Sequence, residues 1–178
     1  MATSACTIRM AHPGDMPAIY LLKWQMALAE GVAQTLRASE ADWRRAAFGP
    51  QPQFLAIVAE TEGAVVGMAT LVERYSPPWG GPLCVIDDVF VAPAHRGRGI
   101  GRALLARAAA EAVRRGAPFV ELMVRIENPA RRLYERIGFE RIRGAATYVL
   151  AGNALLTDRK STRLNSSHIP LSRMPSSA

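Results

Sequence analysis

The segment of this chain with the most chemistry in it is Arg96-Gly97-Arg98-Gly99-Ile100-Gly101-Arg102, which follows a hydrophobic run and opens an amphipathic one. Glycine lets the backbone approach a ligand without Cβ obstruction and adopt positive φ. A helix starting there offers unpaired N–H groups and the positive end of its dipole. Together they form an anion site suited to a pyrophosphate, with Arg96, Arg98 and Arg102 adding charge. The spacing Gly97-x-Gly99-x-Gly101 does not match the dinucleotide fingerprint Gly-x-Gly-x-x-Gly. No Gly-Lys-Ser/Thr follows either, which sets aside a Walker loop.

Just upstream, Leu83-Cys84-Val85-Ile86-Asp87-Asp88-Val89-Phe90-Val91 places two carboxylates inside an apolar run. Burying them costs free energy unless they find partners. Strand alternation sends them to opposite faces, so one is expected to face a ligand cleft, as a cation anchor or as a base acting through water. Asp87 is the slightly preferred of the two. The competing reading is a salt bridge to a helix arginine. Glu73 is a third carboxylate candidate, and Trp79, in a Pro/Gly-rich stretch, is a candidate pocket-lining aromatic.

The elements that must position these residues follow from periodicity. Thr7–Met10 reads as a strand, Asp15 as the N-cap of a helix bearing Ile19, Leu22, Met26 and Ala29, and Ser39 with Asp42 as the cap of a second helix. Phe54–Ala59 and Ala64–Val72 form a hairpin about the tight turn Thr61-Glu62-Gly63. Residues 76–82 read as a loop and 83–91 as a central strand, since its apolar run is too continuous to face water on one side. A helix is expected over 99–115, a strand over 119–124, and a helix opening at Asn128-Pro129 and capped by Gly138. A last strand is expected at 147–150. The fold class is α/β (α+β), a mixed sheet with helices on its faces.

The 178 residues suit one domain, placed at 1–157. Residues 158–178 are Ser-rich and weakly patterned, and read as a disordered, possibly non-native tail. That tail holds part of the +7 formal charge: residues 1–157 carry 18 basic against 14 acidic side chains, or +4. Much of that excess falls on two helices where a solvated face explains it, so no nucleic-acid partner is expected. No apolar run reaches the ~20 residues a membrane span needs, and the N-terminus lacks a signal pattern. The expectation is therefore a cytoplasmic protein. Cys6 and Cys84 are distant from each other and the three histidines are scattered, so neither a disulfide nor a metal site is expected.

Arg96-Gly97-Arg98-Gly99-Ile100-Gly101 resembles the Arg/Gln-x-x-Gly-x-Gly/Ala signature of GNAT N-acyltransferases. Asn128-Pro129-Ala130-Arg131-Arg132-Leu133-Tyr134-Glu135-Arg136-Ile137-Gly138-Phe139 is similar to that superfamily's second CoA-side motif. Ile86–Val91, Phe48-Gly49-Pro50 and Ala146–Leu150 resemble the diamine (spermidine/spermine-like) branch. That branch carries Asn seven residues before the tyrosine, where this chain has Glu127 and shifts Asn128 by one.

The resemblance implies a GNAT fold whose central strands splay, freeing backbone N–H groups near Phe90 and Val91 for the pantetheine arm and thioester carbonyl of acetyl-CoA. It implies a pyrophosphate held from Arg96 to Gly101, a CoA contact from Asn128, and Tyr134 as the acid that protonates the departing CoA thiolate. It implies transfer of an acetyl group to a small-molecule amine by a homodimer joined through its C-terminal strands. Three other readings stay open: acetylation of a peptide N-terminus or lysine, a non-catalytic acyl-CoA-binding module, and RNA binding through the Arg-rich helices.

Overall fold

The computed structural model describes residues 6–142, and the fold resides in the unit ending at Glu140. Its sheet has five strands in sequential order: β1 (Thr7–Met10), β2 (Leu55–Thr61), β3 (Ala64–Ser76), β4 (Gly81–Val91) and β5 (Val120–Leu122). The first three pairings are antiparallel and β4 pairs β5 in parallel. The helices are α1 (Met16–Ala29), α2 (Glu40–Phe48), α3 (Ile100–Arg114) and α4 (Arg131–Arg136). The strand expected at 147–150 and the tail 158–178 lie outside the described residues.

Each face of the sheet has its own core. On one side, Ile57, Ala69, Leu71, Cys84 and Ile86 pack against Ile100, Leu104, Leu105 and Ala108 of α3, with Leu133, Tyr134 and Ile137 at the margin. On the other, Ala56, Val58, Met68 and Phe90 pack against Met16, Ile19 and Leu22 of α1 and Ala47 of α2. Two apolar layers over one sheet are what an α/β chain of this length needs to bury its helices' apolar stripes.

Local signals produced most of these boundaries. Ser39 and Asp42 form the expected reciprocal capping box at α2. Glu62 and Gly63 both take positive φ (54° and 78°), as a two-residue hairpin turn of this hand requires. Three expectations need correction. Asp15 does not cap α1 with its side chain; it accepts the His12 N–H and both terminal nitrogens of Arg9 instead, because a buried carboxylate gains more from a charged partner. The loop expected at 76–82 is shorter: β3 and β4 pair down to Ser76 opposite Gly81, leaving a turn over 77–80. The helix expected from Asn128 starts at Arg131, after a turn in which Asn128 Oδ1 accepts the Ala130 N–H at 2.9 Å.

Candidate active site

The site begins with an irregularity in β4. Thr70 lies opposite Asp88 while the next residue, Leu71, lies opposite Ile86, so Asp87 is an extra residue on β4. Such a bulge shifts the side-chain phase of everything after it. Cys84 and Ile86 therefore point to the α3 side, whereas Phe90 points to the α1 side. Without the extra residue all three would share a face.

The ladder to β5 stops at this point. β5 pairs only with Cys84, Val85 and Ile86, while β4 continues to Val91. The strands part after the bulge, and the β4 edge from Asp87 to Val91 faces the opening.

The turn beyond β4 has the conformation that its glycines permit. Gly97 and Gly99 sit at φ 76° and 78°, and a Cβ on either would meet nothing within 4 Å, so the space beside each Cα is open. Gly99 is the N-cap of α3 and supplies no side-chain cap. The first-turn N–H groups of this 15-residue helix are thus left for an outside acceptor. Arg98 and Arg102 are exposed beside them. Arg96 turns back instead: its Nε donates to Val91 O at 2.8 Å and its guanidinium lies 5.1 Å from the Phe90 ring centroid. It closes the turn onto the end of β4.

Tyr134 is held on α4, which Gly101 allows to approach closely: a Cβ there would lie 3.4 Å from Leu133 Cδ2. The Tyr134 ring packs edge-on against Phe139 with centroids 6.0 Å apart. Burial, and secondarily the Glu30 carboxylate, push its phenol above the ordinary value. The hydroxyl therefore keeps its proton at neutral pH.

The carboxylates separate. Asp87 is exposed at the bulge and makes no ion pair among the described residues. Asp88 is buried, accepts Lys23 Nζ from α1 at 2.7 Å, and its own backbone N–H donates to Thr70 Oγ1 at 3.0 Å. Burial raises the Asp88 carboxyl above its usual range although Lys23 pulls it down.

Glu73 and Trp79 are not brought to this opening. Glu73 lies opposite Cys84 and pairs with Arg115 at 3.0 Å, joining Glu111 at the C-terminal end of α3. Trp79 sits in the β3–β4 turn, packed edge-on to Phe119 at 5.4 Å. At ~3.3 Å per residue that turn is about 20 Å along β4 from Asp87.

Sequence reasoning missed Lys23 and Glu30. The signal for Lys23 was present, since it is the one charged residue in the apolar helix Met16–Ala29. Its placement opposite Asp88, like that of Glu30 near Tyr134, needed the packed structure. Among the described residues no cluster of His, Cys, Asp and Glu could hold a metal ion, and no helix is long and apolar enough to cross a membrane.

A parted β4–β5 pair leading into an uncapped, glycine-lined helix N-terminus defines an acyl-CoA transferase class of site, and the chain belongs to the acetyltransferase (GNAT) family, whose model matches residues 18–139. Among curated relatives, thialysine N-epsilon-acetyltransferase of Bos taurus is 31% identical over 140 residues, covering 74% of this chain and 82% of that protein. Spermidine/spermine N(1)-acetyltransferase-like protein 1 of Homo sapiens is 30% identical over 130 residues, covering 69% of this chain; the chain spans only 19% of that protein's length. Of solved structures, an integron cassette protein from the mobile metagenome of V. cholerae superposes with a TM-score of 0.71 at 24% identity, covering 89% of this chain and 100% of that one. That last likeness is one of fold.

Proposed function

We propose that this protein transfers the acetyl group of acetyl-CoA to a primary amine of a small molecule, diamine/polyamine-like or amino-acid-like, by direct transfer in a ternary complex. The observation that carries the reading is the bulge at Asp87. It follows directly on the last β4–β5 pair, Ile86 with Leu122, and carries an exposed carboxylate that makes no ion pair among the described residues. The printed names of the bovine and human relatives, which refer to thialysine and to spermidine/spermine, are those of small amines.

The residues present fit acetyl-CoA. The space beside the Cα atoms of Gly97 and Gly99 is open and α3 has no side-chain cap, which suits a pyrophosphate. Acetyl-CoA supplies the activated thioester; the chain supplies position and protons. Arg98 and Arg102 add positive charge beside the turn, and Arg96 holds it against β4. On the free edge of β4 the Val91 N–H is available to a carbonyl oxygen, an arrangement that stabilises charge developing there. The Phe90 N–H is turned to β3, on the same side as the Ala92 N–H that donates to Val66 O at 2.9 Å. Asn128, its Oδ1 accepting from the Ala130 N–H, keeps its amide nitrogen and the second oxygen lone pair for a cofactor contact.

An alkylamine with a pKa near 10 is mostly protonated at neutral pH. Asp87 attracts that ammonium to the opening and takes its proton, directly or through water. Tyr134, kept neutral by burial, holds a proton at its phenol oxygen for the departing thiolate.

A CoA-release assay with acetyl-CoA and a panel of polyamines, lysine analogues, aminoglycosides, amino acids and short peptides tests this. Turnover on one class, reduced about a hundredfold or more in kcat by Tyr134→Phe, is the expected outcome. Turnover confined to peptides would replace the small-molecule reading, and CoA binding with no turnover would leave an acyl-CoA-binding module.

A further inference from the structure

Asp88 has the surroundings of a cation site. Its buried carboxylate receives Lys23 Nζ at 2.7 Å, and the same ammonium lies 5.7 Å from the Trp43 ring centroid. Trp43 is held in place by edge contacts to Tyr20 and Phe54, at 6.3 and 5.2 Å. A carboxylate beside an aromatic face is the chemistry that binds an alkylammonium. Here the alkylammonium belongs to the protein. Lys23 is only 19% exposed at its side chain, and the carboxylate it neutralises is the neighbour of bulge residue Asp87.

We propose that Lys23 is a specificity-determining residue: its ammonium fills the second-cation subsite made by Asp88 and Trp43, so the enzyme favours monocationic amines over linear diamines. This rests on the small-amine reading above and narrows it, taking the amino-acid-like alternative over the diamine/polyamine-like one. A diamine brings a second ammonium that must either displace Lys23 from Asp88 or remain beside an already neutralised pair. Displacement leaves one of two cations without its buried partner, which is costly. A monoamine uses Asp87 alone and meets no such competition. Removing the Lys23 side chain leaves an alkyl-shaped space ending at a buried carboxylate, which a diamine's far end can enter.

The test measures kcat/KM for n-butylamine and tetramethylenediamine with the full chain, the wild type beside Lys23→Ala, Lys23→Met and Lys23→Ala/Asp88→Asn. Lys23→Ala is expected to raise the diamine-to-monoamine ratio about tenfold, the worth of one charge-assisted contact, and Asp88→Asn added to it to abolish the gain. Lys23→Met keeps the aliphatic stem and gives the same direction if the alanine variant does not fold. A ratio unchanged in a folded Lys23 variant overturns the proposal. Melting provides a readout without turnover: n-butylammonium chloride raises the Tm of Lys23→Ala but not of wild type or the double variant. If the wild type acetylates neither amine, the panel assay above decides the small-amine reading, and the melting arm decides whether the Asp88–Trp43 subsite binds an alkylammonium; equal Tm responses in all proteins overturn it.

Discussion

Replacing Gly99 by alanine separates the proposed phosphate-binding role of the glycine turn from its strain, because the fold contains a matched control. Gly99 and Gly116 both have φ of 78°, and a Cβ at either meets nothing within 4 Å. They flank α3, about 25 Å apart at 1.5 Å rise per residue. Alanine in the left-handed region costs about 1–2 kcal/mol. For a chain of this size that lowers Tm by roughly 2–8 °C, equally for Gly99→Ala and Gly116→Ala. Only at Gly99 does the new methyl enter the space in front of the α3 N-terminus. Losing one charge-assisted hydrogen bond there, about 1.5–3 kcal/mol, weakens CoA binding roughly ten- to a hundredfold. Isothermal titration with CoA and scanning calorimetry on the two variants read both quantities. Equal Tm losses with a weakened Kd only for Gly99→Ala is the expected result. Equal CoA affinities in the two variants would refute the assignment of the turn.

Asp87→Asn is expected to raise KM for the amine and lower kcat while leaving CoA affinity within about twofold, since the residue is exposed at the bulge and pairs with nothing among the described residues; weakened CoA binding would place Asp87 on the wrong ligand. Acid stability should depend on Glu111, which is buried and bonded to Arg114 and Arg115, so that its carboxyl is lowered from 4.5 to about 2. A depressed folded value means the stabilisation is present above pH 4.5 and is lost as pH falls towards 2. Glu111→Gln should therefore unfold more easily at neutral pH, by about 1–3 kcal/mol given that Arg114 is well exposed, and converge with wild type near pH 2 in urea titrations; a constant gap across that range would show that lost packing, not ionisation, is responsible.

The family of this chain was legible in its sequence because the features that carry it are local. The Gly97–Gly99 turn, the Ser39–Asp42 capping box and the Glu62-Gly63 hairpin are each specified by what a few neighbouring residues allow the backbone to do. The continuous apolar run of β4 likewise announced a strand covered on both faces. The occupants of the site were not legible in the same way. Asp87 and Asp88 are chemically identical neighbours in sequence, and only the register of β4 against β3 makes one an exposed bulge residue and buries the other. Asp88 then takes its partner from α1, sixty-five residues away, where no local pattern links the two. Glu73 reads as a free carboxylate until α3 brings Arg115 to it, and Trp79 reads as a pocket aromatic until Phe119 packs on it. Short-range conformational preference determined the elements and the glycine turn; long-range packing and charge pairing, which depend on which elements meet, decided which carboxylate is left exposed and without an ion pair among the described residues.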